Sequence, residues 1–260
     1  MNYKFIGDDM TFFNGKTVIV TGGARDIGRQ TSLKLAEAGV KVCVNYYDNP
    51  EDANETIKTI KEHGGTAIAV QGNMTKQADI DKVVAECTKE FGNEIHFLVN
   101  VAGGLVARKT MEDMDENFWD FLMTLNLKTV FLVTKAVLPH MPEGGAIVNF
   151  SSQAARDGGG PGAIAYATSK GGVLTLTRGL AKELGPKKIR VNAVSPGMIN
   201  TTFHDTFTKP EVREKVAGMT PLRREGEAPE VADLVVYLLS DKSSFITGAS
   251  VEINGGTYFI

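Results

Sequence analysis

The sequence predicts a single-domain α/β fold, a doubly wound sheet of about seven parallel strands flanked by helices. Three observations predict it. Short apolar runs alternate with longer amphipathic segments along the chain. The runs are apolar nearly throughout and rich in Val and Ile, as strands are when both faces of their sheet are covered. A glycine-bearing turn, TGGARDIG at 21–28, joins the first run to the first helical segment, which is how a βαβ unit opens.

The strands are expected at 17–21, 41–45, 67–71, 97–101, 146–150, 190–194 and 250–253. The first helical segment, 28–38, places Leu33, Leu35 and Ala36 on one stripe, and Gly39 supplies its stop. Residues 50–64 read as a charged helix, and helical patterns follow at 80–91, 115–140 and 165–184. Helices between successive strands imply right-handed crossovers and parallel pairing. No repeat, low-complexity tract or linker divides the chain, so 1–260 is expected to be one domain. Residues 198–227 stand apart as a long stretch of weak periodicity, the kind of segment that forms a lid over a substrate.

A chain of 260 residues with 42% apolar and 23% charged side chains can bury one sizeable core. The net charge of −3 and the lack of a long basic run argue against nucleic acid or an anionic membrane as partner. Cys43 and Cys87 are far apart, without metal-ligand spacing, and read as reduced, buried thiols. The N-terminal MNYKFIGDDM has no apolar h-region, so it is not read as a signal peptide. No apolar run is read as approaching the ~18–20 residues that cross a bilayer. A cytoplasmic location is expected.

A strand, a glycine turn and a helix start make an anion site, because backbone N–H groups and the helix dipole both point outward. A dinucleotide is therefore expected against Gly22, Arg25, Asp26, Ile27 and Gly28. Gly22 makes the tight turn and Gly28 lets helix and strand approach. Asp26 is the odd member. Facing a pyrophosphate, its charge would oppose binding by ~1 kcal/mol or more. Turned onto the N–H groups of Gly28 or Arg29, it would cap the helix and stabilise it by about 1 kcal/mol. The cap is the favoured geometry.

Further along, AYATSKGG places Tyr166 and Lys170 on one helix face. Alone, such a pair reads as a solvated helix face. Here it follows a strand ending in Ser151-Ser152, and Asn126 lies upstream in LNLKTVFLVTKAVL. NVAGG at 100–104 follows the fourth strand and SPG at 195–197 follows the sixth. With TGGARDIG, Asn126, Ser152, YATSK, SPGMINT and INGG in this order, the chain resembles the short-chain dehydrogenases/reductases over roughly 14–256. The resemblance implies a Rossmann-type sheet of seven strands, a nicotinamide cofactor and a catalytic tetrad of Asn126, Ser152, Tyr166 and Lys170. In that reading Tyr166 is the general acid for carbonyl reduction and the general base for alcohol oxidation. Lowering a phenol pKa by ~3 units corresponds to about 4 kcal/mol, and the Lys170 ammonium beside it supplies part of that. Lys170 would also bind the nicotinamide ribose. Ser152 would hydrogen-bond the substrate oxygen, with Ser151 as runner-up. Asn126 would hold a proton-relaying water or stabilise a helix kink. Three positions depart from the family. Asp26 replaces the middle glycine, Val101 stands where a second Asn is frequent, and Ser152 precedes Tyr166 by one residue more than is common.

The resemblance also implies cofactor contacts at Tyr46, Asn73, Asn100, Ala102, Gly103, Pro196, Gly197, Ile199 and Thr201. Relatives that prefer NAD end the second strand with an acid. Here Asn45, Tyr46 and Tyr47 stand there, and Asp48 comes late. Arg25 suits a 2′-phosphate, its competing reading being a solvated loop arginine. NADP(H) is favoured, with NAD(H) left open. For substrate, Arg108, Gln153, Arg156 and His204 make a polar pocket. Two arginines suit a carboxylate or polyhydroxylated ketone, such as a keto sugar or the 4-deoxy-hexoseulose uronate derived from alginate. The alternatives are a 3-oxoacyl-thioester reductase of fatty acid synthesis and, from another class, a non-catalytic dinucleotide-binding sensor. No metal is expected. The apolar helices 118–138 and 165–184 call for more than one buried face; the resemblance implies a homotetramer, with a dimer left open, and the tail Tyr258, Phe259 and Ile260 could join an interface.

Overall fold

The structure is a computed structural model that describes residues 9–259. Seven of its strands form one sheet: β1 (Thr17–Thr21), β2 (Lys41–Tyr46), β3 (Thr66–Gln71), β4 (Phe97–Asn100), β5 (Ala146–Phe150), β6 (Arg190–Pro196) and β9 (Ser250–Ile253). Two short strands, β7 (Ile199–Asn200) and β8 (Gly226–Glu227), pair separately. The main order is β3-β2-β1-β4-β5-β6-β9 and every pairing is parallel. The chain runs outward from β1 to β3, then returns to the other side of β1. That reversal opens a crevice at the carboxyl ends of β1 and β4, where doubly wound sheets bind ligands.

The strand runs are apolar throughout because their residues serve two cores in alternation. Val18 and Val20 of β1 pack with Leu35 and Ala36 of α1 (Asp26–Glu37) and Val231 and Val235 of α10 (Ala228–Leu239). Ile19, between them, packs with Ile80 and Val83 of α3 (Gln77–Phe91), Val133 of α5 (Thr129–Val137) and Leu184 of α7 (Ile164–Leu184). The charged helix is α2 (Pro50–Glu62), capped by the Asn49 side chain on the Asp52 amide. Cys43 and Cys87 are both buried and form no disulfide.

The expected helix at 115–140 is real but broken. It consists of α4 (Glu116–Met123), a π-turn at Thr124–Lys128, α5 and a 3-10 turn at Leu138–His140. The sequence reading that no run reaches membrane-spanning length is corrected here. Residues Glu116–His140 are long and apolar enough by length and composition, with mean hydropathy 1.5. Asn126, Lys128 and Lys135 interrupt the run in sequence, so its length emerges only once the helical pieces join. Its inner face packs on the sheet beside α3 and α7.

The weakly periodic 198–227 holds α8 (Thr202–Phe207) and α9 (Pro210–Met219), and neither helix has a buried residue. Arg213 ties them together: its Nε donates to Glu225 Oε1 at 2.8 Å and its Nη2 to Asn200 Oδ1 at 2.9 Å, and it pairs with Asp205. α6 (Ala154–Asp157) is a single turn after β5. At the C-terminus Phe259 is 79% exposed. Ile260 and residues 1–8 of the N-terminal stretch lie outside the described residues.

Candidate active site

A cavity of about 650 Å³ runs along the crevice from the end of β2 to the lid segment. Its floor is the glycine loop. A Cβ on Gly28 would lie 2.0 Å from the Gly22 carbonyl oxygen, and one on Gly22 would lie 3.3 Å from the Ala102 backbone. Arg25, the residue before α1, makes no side-chain cap, so the first amides of the helix keep their capacity for an anion. Gly22, Arg25, Asp26, Ile27, Gly28, Ala102 and Gly103 all line the cavity. The turn leaves no room for a Cβ at Gly28, and its open amides fit the pyrophosphate of a dinucleotide.

Asp26 does not cap α1, contrary to expectation. It adopts φ +51, and its carboxylate reaches across the cavity mouth to Thr202. Oδ1 accepts from the Thr202 amide at 3.0 Å and Oδ2 from the Thr202 hydroxyl at 2.5 Å. Thr202 satisfies both oxygens at once, which the helix's own amides do not do at this left-handed backbone. Sequence reasoning had no signal for Thr202, because the two residues are 176 positions apart.

At the end of the cavity beside β2, Arg25, Tyr46, Tyr47, Asp48 and Asn73 line the wall, and the Arg25 side chain is 69% exposed. Asp52, on the first turn of α2, lines the same end. Asn73 folds back to accept from the Thr75 amide at 2.9 Å. Asn45 is buried as a brace: its Nδ2 donates to Val70 O at 3.3 Å and Gly72 O at 3.0 Å, and its Oδ1 accepts from the Gly22 amide at 3.4 Å. Asn100 does not line the cavity. It was expected to contact the cofactor, but as the last residue of β4 it points into the sheet's packed face. There its Nδ2 donates to Asn149 Oδ1 at 2.9 Å and to Thr134 Oγ at 3.4 Å. The cavity wall at this point is formed by Val101, Ala102 and Gly103 instead.

At the other end Ser152, Tyr166, Lys170, Pro196, Gly197, Ile199 and Thr201 converge on the cavity. Helical spacing on α7 brings Tyr166 and Lys170 together, with Lys170 Nζ 5.8 Å from the Tyr166 ring centroid. Nζ donates to Phe150 O at 2.8 Å. Burial pushes the Tyr166 phenol above its ordinary pKa, while a hydrogen bond from the Ser152 hydroxyl works the other way. Burial lowers Lys170 to about 8. Ser151, the runner-up, also lines the cavity, but its side chain is buried and its hydroxyl is spent on Lys170 O at 2.9 Å, so it holds α7. Asn126 is fully buried in the π-turn and is not part of the cavity wall. Its Oδ1 accepts from the Gly104 amide at 2.9 Å, and its Nδ2 donates to Gly104 O at 3.0 Å and Leu122 O at 3.2 Å. It therefore braces the helix break against the loop after β4. A Cβ on Gly103 would meet Asn126 Oδ1 at 2.6 Å and Lys170 Nζ at 3.2 Å.

Of the substrate candidates, Arg108, Gln153 and His204 line the cavity and Arg156 does not. Arg156 Nε donates to Glu252 Oε1 of β9 at 3.1 Å in a pair that is 15% and 11% exposed. A carboxylate within reach in a largely dry setting outcompetes the cavity for that guanidinium. Arg108 spans the mouth, with Nε donating to Phe207 O at 3.3 Å and Nη1 to Pro161 O at 3.1 Å. Gln153 Nε2 donates to Asp157 Oδ2 at 2.9 Å. His204 bonds Thr208 Oγ at 3.0 Å through Nδ1, and burial, with Arg213 adding, pushes its pKa down. Phe203 brings its ring 6.1 Å from that of Tyr166.

Residues 8–258 match the family described as enoyl-(acyl carrier protein) reductase. The chain is 37% identical over 245 residues to 3-oxoacyl-[acyl-carrier-protein] reductase FabG of Staphylococcus aureus, covering 94% of this chain and 98% of that protein. Among solved structures, an NADH-dependent reductase responsible for alginate metabolism is 31% identical with TM-score 0.86. A short chain dehydrogenase from Burkholderia cenocepacia in complex with NADP is 30% identical with TM-score 0.88. Each of these two alignments covers 95% of this chain and 99% of the other. Sheet order, crevice and likeness agree: the chain belongs to the short-chain dehydrogenase/reductase family and is an NAD(P)-dependent oxidoreductase acting on carbonyl and CH–OH groups.

Proposed function

We propose that this enzyme interconverts the carbonyl and secondary alcohol of a small polar molecule bearing a carboxylate. A keto sugar or keto-uronate, such as the alginate-derived 4-deoxy-hexoseulose uronate, fits best. The observation that carries this reading is Arg108. Two of its donors hold Phe207 O and Pro161 O, and Nη2 makes no hydrogen bond among the described residues. A guanidinium fixed at the cavity mouth with a free edge suits a carboxylate. Gln153 and His204 supply neutral polar contacts, and the likeness to a reductase responsible for alginate metabolism supports the class. The segment 198–227 serves as the lid.

When bound, the nicotinamide gives or takes the hydride. Tyr166 delivers the proton to the carbonyl oxygen in reduction and removes it in oxidation. Ser152 donates to that oxygen as negative charge develops. Lys170 favours the phenolate through its charge. Asn126 acts as a positioning residue that holds the π-turn, and the Gly103 backbone, against Lys170. Arg25 favours NADP(H). Asp48 and Asp52 on the same wall favour NAD(H) as the second reading, because both would oppose a 2′-phosphate. A homotetramer in the cytoplasm is inferred from the exposed Phe121, Phe131 and Ile164 and from two buried free thiols.

The test is NADPH or NADH oxidation with keto-uronates, neutral keto sugars and 3-oxoacyl thioesters. Arg108→Ala is expected to raise KM for the carboxylate-bearing ketone at least tenfold more than for neutral ones, which lose only the tie to the lid, since a charge-assisted hydrogen bond contributes roughly 1.5–3 kcal/mol. Equal loss on both would remove the carboxylate. Reduction of 3-oxoacyl thioesters is the second reading, favoured by the FabG relatives. The stretch 138–146 is without Lys or Arg, where docking an acidic carrier protein calls for a basic surface.

A further inference from the structure

We propose that Asp26 is a positioning residue that latches the lid to the glycine loop. It couples the cover over the substrate to the cradle under the dinucleotide, an inference that rests on reading 198–227 as the lid.

Four observations carry it. First, Asp26 holds φ +51, a backbone that glycine adopts freely and that costs most other residues roughly 1–2 kcal/mol. Asp is among the few side chains that visit this region, through short hydrogen bonds near by; here its bonds reach a residue outside the loop. Second, both carboxylate oxygens are spent on Thr202, at 3.0 Å to its amide and 2.5 Å to its hydroxyl. Thr201, the residue before α8, turns its own hydroxyl back to Ile199 O at 3.1 Å, so Asp26 is what receives the amide that opens α8. Third, no side chain of α8 or α9 is fully buried. Arg213 stiffens the pair internally, and the far end is fixed near β9, where the Leu222 amide donates to Gly255 O at 3.3 Å. Between buried Ile199 and the half-buried Phe203, the near end is held by polar ties, Asp26 to Thr202 and Arg108 to Phe207 O. Segments with few buried apolar contacts open locally at low free energy, so such ties set how often the near end lifts. Fourth, Thr202 immediately precedes Phe203, whose ring packs 6.1 Å from Tyr166 and 5.2 Å from Phe207. A displaced Thr202 carries the aromatic wall of the substrate site with it.

The latch also resolves the charge of Asp26. Held on Thr202, and with Arg25 Nε 3.9 Å from Oδ2, the carboxylate is compensated and turned to the lid, while the helix amides stay open to an anion.

The experiment compares wild type with Asp26→Gly and Asp26→Asn. Amide hydrogen exchange on the cofactor-free protein is read first. Asp26→Gly is expected to speed exchange across 201–209 roughly tenfold, the loss of two modest hydrogen bonds. Exchange in β1 and β4 and the melting temperature should hold, because glycine suits φ +51. Asp26→Asn, which can accept from the amide and donate to the hydroxyl, should restore most of the protection. With substrate, Asp26→Gly should raise the ketone KM several-fold with kcat less affected, and NAD(P)H affinity by fluorescence should stay within a few-fold. Wild-type exchange at 201–209 in Asp26→Gly would overturn the latch. So would a tenfold gain in NAD(P)H affinity, which would turn the carboxylate to the phosphates. Faster exchange together with no turnover on any carbonyl would refute the proposed substrate class and leave the latch standing.

Discussion

Tyr166 and Lys170 form the pair on which the chemistry turns, and each answers to a separate measurement. Tyr166→Phe keeps the ring against Phe203 and removes only the proton. It is expected to lower kcat/KM by roughly 10²–10⁴-fold, the usual worth of a positioned general acid, while NAD(P)H binding by fluorescence is kept. Undiminished turnover would end the assignment. Lys170 carries a second consequence through its burial. Its pKa falls from 10.5 to about 8 on folding, so the unfolded chain binds this proton more tightly. The cost to the folded state is fully present below pH 8 and is relieved as pH rises toward 10.5. Lys170→Met should therefore gain stability relative to wild type at pH 7. The gain is at most about 3 kcal/mol, less the lost bond to Phe150 O, and it should shrink through pH 8–10.5. Urea unfolding at pH 7 and pH 10 measures it, and a pH-independent difference would contradict it.

At the scale of elements, legibility followed the range of the interactions. Strands and their parallel pairing were readable because burial on two faces leaves a local mark, an unbroken apolar run. Tyr166 and Lys170 were readable because a helix puts residues four apart side by side. The expected fates of Asp26, Asn100 and Arg156 failed for a common reason: each polar group found a partner on a distant element. Thr202, Asn149 and Glu252 were those partners. Local propensity predicts the nearest partner, whereas folding brings up the best one. The π-turn at Thr124–Lys128 left no mark in the hydrophobic pattern either, because two of the three bonds of the Asn126 amide go to Gly104, on the loop after β4. Boundaries also moved where a turn could extend a strand, as at Tyr46 and Pro196.

For the molecule as a whole, the outer face of α4 and α5 leaves Phe121 and Phe131 close to half exposed. An isologous interface would bury such residues twice over. Light scattering is expected to report a tetramer, and Phe131→Glu to shift the mass downward while circular dichroism stays unchanged; a wild-type monomer would exclude the assembly. The sheet's carboxyl edge has one more consequence, which concerns coenzyme engineering. Asn45 fastens β2 to the end of β3 and to the glycine loop with a single amide. An acid introduced there to recruit a ribose would lose the donor that Val70 and Gly72 require. Any swap of coenzyme preference has to be written into the outward-facing run from Tyr46 to Asn49, leaving the joint behind it untouched.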